Sequence, residues 1–149
     1  MAREIEIEFE RGGKFVATLF DEEAPETCNF VWNLLPLERI DACRAMISGA
    51  VIDVPIEGKD FKTLEHVYSC LDPGLIGFVT SFFPKRPKSK PRVDILIGYG
   101  RNLIHTMSGF VTPTNIFAKI TEGTVEQLSK VADRIKEQGI EKVTITRKP

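Results

Sequence analysis

Residues 115–135 read NIFAKITEGTVEQLSKVADRI, and the change of period inside them decides the fold. Over 114–121 a short, mostly apolar run bounded by turn residues reads as a strand. Glu122-Gly123 then breaks the run. Thr124 stands where a helix N-cap is needed, and Gln127 three residues on completes a capping box, each side chain bonding the other's backbone N–H. Val125, Leu128, Val131, Ala132 and Ile135 form one helical stripe, and Gly139 supplies the stop. This passage therefore predicts a strand feeding directly into an amphipathic helix.

A second helix is expected upstream, in APETCNFVWNLLP. Cys28, Val31, Trp32 and Leu35 fall at i, i+3, i+4 and i+7; Pro25 suits the first turn and Pro36 ends the helix. The rest reads as strands. Residues 3–10 alternate strictly, with Ile5, Ile7 and Phe9 opposite Glu4, Glu6, Glu8 and Glu10. Gly12-Gly13 makes a turn into residues 14–20, which are apolar on both faces and hence covered on both. Further strands are expected near 38–46, 49–55, 75–81, 92–98, 102–108, 114–121 and 142–147. Many strands with only two helices give a mainly β protein, and closing the sheet removes its exposed edges. The expectation is one domain, residues 1–149: a closed antiparallel β-barrel with two α-helices.

Composition narrows the function classes. The chain has 149 residues, 42% hydrophobic and 28% charged, as in ordinary globular proteins. A net charge of −1 argues against a chain built to bind nucleic acid or anionic membrane. The charged, alternating start is not a signal peptide, and no apolar run is long enough to span a bilayer. Cys28, Cys43 and Cys70 are odd in number and widely spaced, so they suggest neither disulfides nor zinc, and a cytoplasmic location is expected. Cys43 and Cys70 lack activating neighbours and read as buried small apolar groups. No phosphate-cradling glycine motif and no metal-ligand spacing is present, so neither cofactor nor metal is expected.

Two segments resemble cyclophilins. FDEEAPETCNFVWNLLP is similar to that family's first helix through Pro25, Thr27, Asn29 and Phe30. Phe117, Ala118, Lys119 and Ile120 with Glu122-Gly123 resemble its late strand-to-helix passage, and KVTITR its terminal strand. The middle is closer to a group of small bacterial and archaeal cyclophilin-like proteins of uncharacterised function. Ser48-Gly49, Pro73-Gly74, Tyr99-Gly100-Arg101 and Asn115 with Phe117-Ala118 carry that likeness. The resemblance implies a cyclophilin-like barrel. Prolyl isomerisation needs an Arg that stabilises the twisted amide, in a pocket of Phe, Met, Trp and His. Here Ala42-Cys43-Arg44 and Ile47-Ser48-Gly49-Ala50 replace the expected context, and the Trp and His positions fall on Gly109 and Thr114. No catalytic residue is assigned.

Arg44, Ser48, Tyr99, Arg101, His105 and Asn115 are polar residues on or beside predicted strands that would converge at one barrel mouth. Two arginines with hydroxyl and amide donors suit a small anionic or amide-containing molecule. His105 has the chemistry of a general base, although a histidine in such a strand more commonly serves structure. The alternative function is an interaction or homodimerisation module using the barrel edge or the basic run KRPKSKPR, residues 85–92; a degenerate prolyl isomerase ranks below both.

Overall fold

The computed structural model describes residues 2–81, 91–106 and 109–149. Two strands, β1 (Glu4–Phe9) and β2 (Lys14–Leu19), form the opening hairpin, joined through Gly12 and Gly13 at φ 118° and 109°. Helix α1 (Pro25–Leu34) follows, then β3 (Leu37–Arg44), β4 (Gly49–Glu57), β5 (Val67–Tyr68), β6 (Leu75–Val79), β7 (Arg92–Asn102) and β8 (Thr114–Glu122). Helix α2 (Val125–Gln138) and β9 (Glu141–Arg147) complete the chain. All pairings are antiparallel, in the order β2-β1-β9-β3-β4-β7-β6-β8-β5, and β2 also pairs with β8. That last pairing closes eight strands into a barrel, with β5 outside on β8. The fold is the mainly β, closed antiparallel, two-helix barrel expected.

Alternation assigns the two faces. Ile52, Val54 and Ile56 of β4 and Val93, Ile95 and Ile97 of β7 fill the lumen with Phe78 and Phe117. Cys28, Val31 and Leu35 from the first helix region, and Leu128, Val131, Ala132 and Ile135 from α2, belong to the same core. Since α1 links strands at one end of the barrel and α2 links strands at the other, a helix closes each end. The capping box of Thr124 and Gln127 is present, whereas Val125, expected in the stripe, is 39% exposed. Trp32 is half-buried: the guanidinium groups of Arg3 and Arg147 lie 5.1 and 5.0 Å from its ring centroid.

A smaller apolar cluster lies outside the barrel. Val51, Val79, Leu96 and Ile116 point outward and are covered by Leu71 and Ile104. These two come from the segments that precede β6 and follow β7, packed here on the outer wall. Gly98 permits the approach, because a Cβ there would sit 2.7 Å from Leu71 Cβ and 3.0 Å from its carbonyl oxygen. Asn102 fastens the contact: its amide accepts from Leu71 N and donates to the Leu71 and Gly100 carbonyls.

Two strand expectations are corrected. The strand read at 92–98 runs on to Asn102, and among the described residues beyond it His105 forms an isolated bridge with Val111; residues 107 and 108 of the strand read at 102–108 lie outside the described residues. Leu103 to His105 alternates like a strand because Ile104 is buried against the outer wall while Leu103 is exposed. The short β5 was not anticipated: two residues carry no period. Most of the basic run, residues 85–90, lies outside the described residues, as do Phe82 and Phe83. Arg92 belongs to β7 and pairs with Asp94.

Candidate functional site

Strand β7 is longer than its neighbours. Strand β6 covers only Asp94 to Ile97, so residues 98–102 overhang and pair with β4 alone, through a register shift between Gly49 and Val51. The overhang carries Tyr99 and Arg101 to the tight turn between β3 and β4. Gly49 is needed there: its φ is +100°, and a Cβ would stand 2.6 Å from the Arg101 carbonyl oxygen.

Five of the six residues read from the sequence meet at this rim. Arg44 ends β3, and its Nε donates to the Tyr99 hydroxyl at 3.2 Å. The Ser48 carbonyl accepts from Leu103 N at 2.9 Å, and its hydroxyl accepts from His105 N at 3.4 Å. The two ring nitrogens of His105 face the carbonyls of Thr106 and Ile47, each at 2.9 Å. A ring N–H on either nitrogen meets one of these carbonyls, so His105 clips the β3–β4 turn to the segment after β7. Arg101 is exposed, and no hydrogen bond or ion pair engages its guanidinium among the described residues. Tyr99 is half-buried and packs against the main core, and Arg44 pairs opposite the core residue Ile52, so these two stand where the ends of β3 and β7 leave the barrel.

Asn115 is not among them. It is fully buried in β8, where its Oδ1 accepts from Glu65 N at 3.2 Å and its Nδ2 donates to Thr27 Oγ1 at 3.1 Å and Thr63 O at 2.8 Å. The Glu65 carboxylate takes Thr27 N at 2.6 Å, so the network ties segment 63–65 to α1. His66 is likewise structural: Nδ1 meets Ile116 O at 2.7 Å, and its ring packs edge-on to Phe20 and Tyr68.

The thiols are poor nucleophile candidates. Burial, with Asp21 nearby, pushes Cys28 up to about 12, and burial together with Asp53 and Asp94 pushes Cys43 up to about 11. Cys70 is exposed, contrary to the sequence expectation, and Cys43 is only half-buried. On the outer wall Arg92 binds Asp94 through two hydrogen bonds and reaches Asp53 and Glu57 at 4.0 and 3.9 Å. A groove of about 360 Å³ across β1, β9 and β3 is lined by Glu10, Arg39 and Lys142, whose charges are already paired (Arg39 with Glu10, Lys142 with Asp41). No group of three or more His, Cys, Asp or Glu among the described residues is placed to hold a metal. No helix among them is long and apolar enough to cross a membrane.

Sequence reasoning missed the apolar side chains around the rim, such as Met46 (90% exposed) and Phe110 (73%). The signal was present: Met46-Ile47 and Phe110-Val111 each stand beside a Ser-Gly or Gly turn, where apolar residues have no core to enter.

Residues 7–147 match the model of a family described as a protein of unknown function, DUF3830. The chain belongs to the DUF3830 family. No curated protein matches it. Solved structures resemble it in fold. McbB in complex with tryptophan superposes with a TM-score of 0.73 at 17% identity, over 97% of this chain and 44% of McbB, so the DUF3830 chain spans less than half of McbB's length. A hypothetical protein from Archaeoglobus fulgidus gives 0.60 at 18% identity, covering 99% and 95%. A cyclophilin-type peptidyl-prolyl cis-trans isomerase from Cryptosporidium parvum gives 0.56 at 13% identity, covering 100% and 99%. At these identities the likeness shows the fold alone. At the two positions where the isomerase resemblance asks for Trp and His, this DUF3830 protein has an exposed Gly109 and a fully buried Thr114.

Proposed function

We propose that the protein binds a small anionic or amide-containing molecule on the rim formed by Arg44, Ser48, Tyr99 and Arg101. One observation carries this reading: Arg44, held by the Tyr99 hydroxyl, and Arg101, two residues beyond Tyr99 on the same strand, have no carboxylate partner among the described residues. Each remaining N–H of Arg44 and the fork of Arg101 is available to a planar anion, and such charge-assisted bonds are about twice as strong as neutral ones. Tyr99 holds the Arg44 guanidinium in place, which lowers the ordering cost of binding. The chemistry favours binding over catalysis. The Ser48 hydroxyl meets the backbone N–H of His105 and not its ring, so the arrangement lacks the nucleophile–base hydrogen bond that activates a serine.

The test is thermal shift followed by calorimetry with a panel of carboxylates and primary amides. Tryptophan, which the McbB structure holds, is a sensible first probe. A ligand at about 100 times its Kd adds roughly 2.7 kcal/mol of stability, a shift of several degrees for a chain of this size. Arg44→Ala and Arg101→Ala should each abolish the shift while leaving the unliganded melting temperature near that of the wild type. No shift with any carboxylate or amide, or a shift unchanged in both variants, removes the proposal.

A further inference from the structure

Of the ten exposed large apolar side chains among the described residues, six surround this rim: Met46, Ile47, Tyr68, Leu103, Phe110 and Val111. The segments that carry them are hydrogen-bonded side to side. Leu103 N donates to Ser48 O at 2.9 Å, Ile104 N to Ser69 O at 2.8 Å, and Thr112 N to Ile104 O at 2.8 Å. The segments that carry these exposed side chains therefore lie side by side. Their exposure runs from 38 to 90%. That amounts to on the order of 700 Å², more than most monomers leave bare and close to one side of a standard protein interface.

Charge selects the occupant. Segments 44–50, 66–71, 99–106 and 109–113 contain Arg44 and Arg101 and no Asp or Glu. A second copy docking symmetrically would set these arginines against each other. The strand edge argues in the same direction. Strand β5 ends the strand order and pairs only with β8 among the described residues, leaving main-chain groups that an extended polypeptide can meet and a lipid surface cannot. We infer that this face docks a polypeptide segment whose acidic residues pair with Arg44 and Arg101 and whose apolar side chains cover the Met46–Phe110 surface. The inference rests on the rim being an anion site and adds that the anion is carried by a polypeptide.

The experiment is selection of a random 12-residue peptide display library on the immobilised full chain and on a Phe110→Ser variant, with Met46→Ser as the second variant should the first fail to fold. Enriched peptides are then synthesised and titrated by fluorescence anisotropy. Acidic peptides bearing aromatic or aliphatic residues should be enriched on the wild type, and their affinity should fall about tenfold or more in Phe110→Ser and in Arg101→Glu. Three outcomes overturn the inference: no enrichment, enrichment of basic peptides, or equal enrichment on wild type and variant. It is also overturned if sedimentation shows a dimer that Phe110→Ser dissociates, or if phosphatidylserine vesicles bind the chain through Phe110 while acidic peptides do not. Small carboxylates that bind in the absence of any peptide binding sink this inference alone; failure of both sinks the rim as an anion site.

Discussion

Replacing Asn115 by Ala separates structure from site. The side chain is wholly buried and makes three hydrogen bonds, to Glu65 N, Thr27 Oγ1 and Thr63 O. Each is worth about 1 kcal/mol net, and more where the partner is left buried and unpaired. Thr27 is fully buried and has no route to water, whereas Thr63 and Glu65 are half-buried and recover part of their hydration. The expected loss is therefore about 2–4 kcal/mol, or roughly 5–15 °C in melting temperature for a domain of this size. Urea unfolding followed by circular dichroism, with Trp32 fluorescence as a second probe, measures the loss. The same variant should bind the best rim ligand with unchanged affinity below its transition, because the network holds segment 63–65 and not the β3–β4 turn. A loss under about 1 kcal/mol, or a folded variant that no longer binds, would refute this assignment of Asn115.

Glu141 is buried, and its carboxylate is gripped by Arg134 and Arg11. Burial pushes its pKa up, but the hydrogen bonds and charges of the two arginines outweigh it and hold the group below the usual carboxylate range. Its stabilisation is therefore complete above the ordinary glutamate pKa and is lost as pH falls through the lowered one. Glu141→Gln should cost about 3 kcal/mol at pH 7, a difference from wild type that shrinks below about pH 4 in acid unfolding curves. Alkylation of the native protein with iodoacetamide, read by peptide mass mapping, should label Cys70 well ahead of Cys43 and Cys28, since only Cys70 is exposed and the other two thiols are raised to about 11 and 12. Gly98→Ala should cost about 2–4 kcal/mol by forcing Leu71 off the outer wall, and backbone amides of residues 69–74 should exchange faster with deuterium.

The elements with a sustained period were legible in the sequence. The acidic alternation of residues 3–10 became β1, and the Thr124–Gln127 capping box is formed atom for atom. What escaped was set by contacts distant in sequence. Alternation at 103–105 looked like a strand because burial against the outer wall imposes the same in–out pattern without a ladder. Val125 fits the helical stripe but stands in the first turn, before α2 reaches the barrel end. Asn115 was grouped with the rim because sequence shows a polar residue on a strand and not which partners reach it; Thr27, Thr63 and Glu65 arrive from 50 or more residues away. Arg44, Ser48, Tyr99, Arg101 and His105 did come together, since all five flank turns at one end of neighbouring strands.

Helices α1 and α2 contribute side chains to the same apolar core that fills the lumen, and Asn115 and Thr27, fully buried polar residues, bond each other. The binding proposed above is assigned to the rim. On the wall, Arg92 is engaged by Asp94, Asp53 and Glu57, and the second apolar cluster is covered by Leu71 and Ile104. The overhang of β7 is different: beyond Ile97 it has no β6 partner, and its Arg101 is exposed. It delivers Tyr99 and Arg101 next to Arg44 and the apolar turn. A shortened β7 overhang with an intact barrel would therefore retain the fold and lose binding, a separation that a lumenal site would not allow.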